Sequence, residues 1–140
     1  MSAGVAVIPE SSRVIIGASP TRDLTFAGAT IEEIAAAPKS RLDDLPFGII
    51  GLASDGTVEL YSAAESRMAG LSADRVLGKH FFTAVAPCMN NFMVAHRFEE
   101  EAELDNVIDY VLTLRMRPTP VKMRLLKSAG TRSRYLLIQR

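Results

Sequence analysis

Short apolar runs punctuated by turn residues extend along this chain, and their period changes from one segment to the next. Residues 1–29 are rich in Ala, Gly, Ser, Pro and Thr and hold two β-branched runs, 5–8 and 14–16, each too short to define an element. Such runs admit small paired strands, an arm packed on the main domain or on a neighbouring chain, or a mobile terminus. Thr30 with Glu33 matches a capping box, and Ile31, Ile34 and Ala35 share a face, so the spacing predicts a helix over 30–37 that stops before Pro38. The apolar run 46–53, the turn signal Asp55-Gly56 and the alternating segment 57–61 predict two antiparallel strands. A helix follows at once: Ser62 caps it with Glu65 at the third position, Met68 faces inward, and Gly70 suits a left-handed exit. Residues 72–77 repeat that design and close at Gly78.

Beyond a second apolar run, Phe92, Ala95, Phe98 and Ala102 recur at three- and four-residue spacings and predict a longer helix over 91–104. Arg97 and the acidic residues Glu99, Glu100 and Glu101 form its solvated face. Ile108, Tyr110, Leu112, Leu114 and Met116 then alternate with Asp109, Val111, Thr113 and Arg115, the pattern of a half-buried strand. Val121, Met123 and Leu125 continue the alternation, Ala129-Gly130-Thr131 turns, and 134–140 completes a hairpin. Strands grouped before and after a block of helices predict an α+β fold: a five-stranded antiparallel sheet with helices packed on one face, plus an N-terminal extension.

Composition narrows the function classes. The chain has 140 residues, the size of one domain, and 48% hydrophobic against 23% charged residues is ordinary for a globular core. A formal net charge of zero gives no footprint for nucleic acid or an anionic membrane. No basic n-region with a long apolar stretch opens the chain, and no run of about 18 apolar residues occurs in it, so a cytoplasmic location is expected. The single cysteine, Cys88, excludes an internal disulfide.

Cys88 also sits in the most constrained stretch of the chain. Pro87 locks its own φ and biases Ala86 toward extended backbone, so the thiol is presented with few conformations. A lone thiol held in this way suits covalent attachment, while the commoner role of a free cysteine is that of a small buried hydrophobe. No histidine motif accompanies it, so a cysteine-dependent enzyme is not expected. Glu65 reads equally as a completed capping box, and Tyr61 as a strand-end aromatic.

Several motifs together resemble the photoactive yellow protein family of PAS domains. They are LPFGII at 45–50, the turn Asp55-Gly56, Tyr61-Ser62-Ala63-Ala64-Glu65, Gly78-Lys79-His80-Phe81-Phe82, Val85-Ala86-Pro87-Cys88 and Met116-Arg117-Pro118-Thr119, over residues 42–140. The resemblance implies a PAS domain over 42–140 with residues 1–41 as an extension or cap. It also implies a bacterial blue-light photoreceptor with 4-hydroxycinnamic acid (p-coumaric acid) thioester-linked to Cys88. Tyr61 and a protonated Glu65 would donate hydrogen bonds to its phenolate, with Pro87, Tyr110 and Met116 lining the pocket. The family's supporting threonine is replaced by Ala69 and its arginine at the pocket mouth by Leu71, and both changes remove hydrogen-bonding groups. No metal ligand set is implied. The expected partner is a downstream signalling protein, with a homodimer through the N-terminal segment as a further arrangement. The alternative is a PAS sensor or interaction module that binds no ligand or another one, such as haem on His96.

Overall fold

The computed structural model describes residues 23–114 and 117–140. The β-branched runs at 5–8 and 14–16, and Met116, lie outside the described residues.

Helix α1, Ile31–Ala36, begins with the capping box read from the sequence: the Glu33 amide donates to Thr30 Oγ1 at 3.1 Å and the Thr30 amide to Glu33 Oε1 at 2.9 Å. Helix α2, Lys39–Asp43, starts directly after Pro38. Strands β1, Gly48–Leu52, and β2, Val58–Tyr61, pair antiparallel around the Asp55-Gly56 turn. Helix α3, Ala63–Ala69, is capped by Ser62 and leaves through Gly70 at φ 73°, a left-handed position that glycine takes without steric cost. Helix α4, Ala73–Val76, is one turn long. The chain then makes a π-helical turn, Phe81–Val85, and a 3-10 turn, Pro87–Met89, that carries Cys88. After helix α5, Ala95–Glu100, come strands β3, Leu104–Leu114, β4, Arg117–Ser128, and β5, Thr131–Gln139.

These strands form one antiparallel sheet in the order β2-β1-β5-β4-β3, the α+β arrangement expected. Side-chain alternation sorts its residues onto two faces. Ile50, Leu52, Val121, Met123, Leu125, Leu136 and Ile138 point to the side on which α3, the two irregular turns and α5 pack with Phe81, Phe82, Val94 and Phe98. Ile49, Leu126, Tyr135 and Leu137 point to the other side and meet Leu24, Phe26, Ile31, Ile34, Leu42 and Phe47 from the N-terminal segment. Both faces of the central strands are therefore dry, which is why all five residues of β1 are buried.

One expectation fails in length. The helix over 91–104 is six residues, not fourteen: Asn91 Oδ1 accepts from the amides of Met93 and Val94 at 2.9 and 3.2 Å, and this local turn holds the backbone out of helix until Ala95. Phe92, expected on the inner face, is consequently 77% exposed.

Candidate functional site

A cavity of about 410 Å³ opens on the helix side of the sheet, within the roughly 300–1,000 Å³ typical of small-molecule sites. Tyr61, at the end of β2, and Glu65, in the first turn of α3, form its buried end; Pro87 and Cys88 form its exposed end, and Phe81 and Met89 add buried apolar wall. Ala69 and Leu71 line the same cavity.

Ser62 builds the buried end. Its Oγ accepts from the Ile49 amide at 2.9 Å and the Glu65 amide at 3.4 Å, and its own amide donates to the Ile49 carbonyl at 3.0 Å. That triple tie makes the chain turn from strand to helix within one residue, so Tyr61 and Glu65 converge although one is in a strand and the other in a helix. Glu65 does not complete the capping box, because its carboxylate crosses Gly48 to reach Arg140. A Cβ at Gly48 would overlap the Glu65 carboxyl oxygen, so glycine is required there by close approach. Arg140 Nη1 donates to Glu65 Oε1 at 3.3 Å and Nη2 to Oε2 at 3.5 Å. Burial raises the Glu65 carboxyl above the ordinary range while the Arg140 guanidinium works against that rise.

The Tyr61 hydroxyl, on a side chain 2% exposed, makes no hydrogen bond to any described residue. Burial, and secondarily the Glu65 charge, push its ionisation far above the usual tyrosine value, so it remains a donor facing the cavity. Ala69 lines the same cavity but has no acceptor, and among the described residues no side chain satisfies that donor.

The exposed end is held differently. Tyr110 is not on the cavity wall. It reaches from β3 to the Cys88 turn, where its hydroxyl donates to the Cys88 carbonyl at 2.8 Å and accepts from Asn91 Nδ2 at 2.8 Å. Asn91 Nδ2 also donates to the same carbonyl at 3.0 Å. The backbone beneath the sulfur is thus pinned from two sides, and Cys88 is exposed rather than a buried hydrophobe. His96 is exposed and outside the cavity, so the structure does not offer it as a haem ligand; His80 is an exposed residue at the start of the π-helical turn. Among the described residues no group of three or more His, Cys, Asp or Glu side chains is arranged for a metal, and no helix is long and apolar enough to cross a membrane.

The PAS fold family matches residues 36–131. The photoactive yellow protein of Rhodothalassium salexigens is 35% identical over 104 residues, 72% of this chain and 83% of that protein. That of Halochromatium salexigens is also 35% identical, over 71% of this chain and 82% of its own length. The chain belongs to the photoactive yellow protein family of PAS domains. Among solved structures, the photoactive yellow protein domain of the sensor histidine kinase Ppr from Rhodospirillum centenum superposes with a TM-score of 0.71 at 29% identity, covering 78% of this chain and 98% of that one.

Arg140, Asn91 and Gly48 support the site from outside the cavity wall and were not singled out from the sequence. Strand period alone could have flagged Arg140, since it shares the parity of Leu136 and Ile138, which face the helices.

Proposed function

We propose that this chain is a blue-light photoreceptor that carries 4-hydroxycinnamic acid as a thioester on Cys88, with the phenolic oxygen between Tyr61 and Glu65. The observation that carries this reading is a tyrosine hydroxyl, on a buried side chain and unbonded among the described residues, in the same cavity whose outer wall holds an exposed, backbone-pinned thiol. Membership of the family supports it further. The bound group supplies visible absorption when its phenol is ionised and a double bond that light can isomerise. The protein residues do the rest. Cys88 provides the attachment sulfur, at an angle fixed by Pro87, Tyr110 and Asn91. Tyr61 donates to the phenolic oxygen and so gains the partner that Ala69 does not give it. Glu65 holds a proton toward the same oxygen, and Phe81 and Met89 exclude water from their part of the cavity. Were the bound group to isomerise away from them, Tyr61 and Glu65 would lose that partner, and polar groups on two buried side chains left without one would force the nearby packing to rearrange. The rearranged surface passes the signal to a cytoplasmic protein partner, and no residue is assigned a catalytic role.

Intact mass after incubation with an activated ester of 4-hydroxycinnamic acid tests the assignment. The wild-type chain is expected to gain one hydroxycinnamoyl group and a band in the blue, and Cys88→Ser neither. An unmodified wild type, or a stable adduct on Cys88→Ser, sinks the reading.

A further inference from the structure

We propose that Arg140, which lies behind Glu65 rather than on the cavity wall, is the fixed positive charge that makes the cavity selective for a ligand bearing one negative charge, with Glu65 surrendering its own charge when that ligand enters. The inference deepens the reading above and rests on it for the identity of the natural ligand.

Arg140 follows β5, and its side chain is only 12% exposed. A guanidinium cannot lose its proton in a protein, so a full positive charge sits at this depth. Its contacts are sparse. Nη1 and Nη2 meet the Glu65 carboxylate at 3.3 and 3.5 Å, well beyond the roughly 2.7–2.9 Å of a tight charge-assisted pair. Nη1 lies 3.3 Å from Met68 Sδ, and Nε is buried without a partner among the described residues. Leu71 brings no charge to the other end of the cavity.

Two consequences follow from that geometry. A buried cation left unpaired is costly, so in the ligand-free cavity Glu65 is the anion that balances Arg140. The long distances mean that this balance is loosely held and open to exchange. The titratable and charged groups bearing on Glu65 are Arg140 and Tyr61; Gly48 from β1 and Met68 from its own helix add no charge. When a phenol enters between Tyr61 and Glu65, Glu65 takes the phenolic proton: the ligand O–H bond breaks, a carboxyl O–H bond forms, and no proton goes to solvent. The cavity then holds the phenolate as anion and Glu65 as a neutral donor, with Arg140 as the cation behind Glu65 and total charge unchanged. A ligand without an ionisable oxygen cannot make the exchange and would have to enter beside two charges already facing each other.

The test uses the full chain without 4-hydroxycinnamic acid, with 4-nitrophenol as a probe whose colour reports its ionisation and 4-nitroanisole as its neutral methyl ether. Wild type is expected to bind 4-nitrophenol at least about tenfold more tightly than 4-nitroanisole near neutral pH. In Arg140→Met that preference should vanish, and the ionisation midpoint of the bound probe should rise by about one pH unit or more. Arg140→Lys, which keeps the charge and guards against a folding defect, should recover most of both effects. Independently of any ligand, carbon-13 NMR of the Glu65 carboxyl should titrate at least about one unit higher in Arg140→Met than in wild type. Equal binding of the two probes by wild type, failure of wild type to bind 4-nitrophenol, or an unmoved Glu65 titration each overturns the proposal. A wild type that passes these tests yet forms no adduct on Cys88 would leave Arg140 in its role and remove only the assigned natural ligand.

Discussion

Glu65 shows how one residue can satisfy a local sequence rule and still act elsewhere. Its amide is capped by Ser62, as the Ser-x-x-Glu pattern implies, but its carboxylate is directed to Arg140 across the gap that Gly48 leaves. The cap was legible because it is a three-residue relationship; the ion pair joins positions 75 residues apart and needs the β5 register to exist. The raised ionisation of Glu65 carries a stability consequence with a definite sign. The folded chain holds this proton more tightly than the unfolded one, so the contribution is fully present below about pH 4.5, the ordinary glutamate value, and is lost as pH rises through the folded-state value. Urea denaturation of the ligand-free chain across that window should therefore show a component of stability that falls with rising pH and is absent in Glu65→Gln. A variant whose pH profile matched wild type would mean that the carboxyl is as well solvated folded as unfolded.

Elements were legible where a cap, a turn or a two-residue period defined them. Thr30, Ser62, Gly70 and the Asp55-Gly56 turn each stand where the sequence indicates, and β3, β4 and β5 follow from alternation. The segment from Phe81 to Val94 was not legible in the same way. Apolar spacing through Phe92 and Ala95 argues for continuous helix, but the Asn91 side chain bonds forward to two amides and sideways to Cys88 and Tyr110, and these contacts outweigh the burial that Phe92 would gain. The element junction at Ser62 yields a direct test. Ser62 is fully buried, and Ser62→Ala removes both the cap of α3 and the acceptor of the buried Ile49 amide. A cost of about 1–3 kcal/mol is expected by chemical denaturation, with weaker reconstitution because Tyr61 and Glu65 flank the altered joint. A loss below about 0.5 kcal/mol would show that the Ile49 amide finds another acceptor.

On the scale of the whole molecule, the sheet is a partition between two apolar layers, and only one of them contains the cavity. The helices expected between β2 and β3 lie on the cavity side; the other layer is supplied by the segment before β1, including α1, and its attachment depends on a buried cation that no local pattern reveals. Arg124 of β4 is 6% exposed, and its guanidinium joins three separate parts of the chain. Nε and Nη2 donate to the two carboxylate oxygens of Asp105 on β3 at 2.9 and 3.0 Å, while Nη1 donates to the carbonyls of Phe26 and Ala29 at 3.0 and 2.6 Å. The planar fork matches a carboxylate on one edge and two converging carbonyls on the other, a geometry that a lysine cannot reproduce. Arg124→Met keeps most of the apolar stem but leaves both carbonyls without a donor, while Asp105, largely exposed, rehydrates at little cost. The expected loss is about 2–4 kcal/mol, concentrated on the N-terminal layer. Hydrogen exchange should locate it: the amides of Ala29, Ile34 and Ala37, which bond to Thr25, Thr30 and Glu33, should exchange faster in the variant, while those pairing β4 with β5 should keep their protection. Uniform acceleration across the sheet would instead mean that the two layers unfold as one unit and that Arg124 supports the whole domain rather than the attachment of its N-terminal layer.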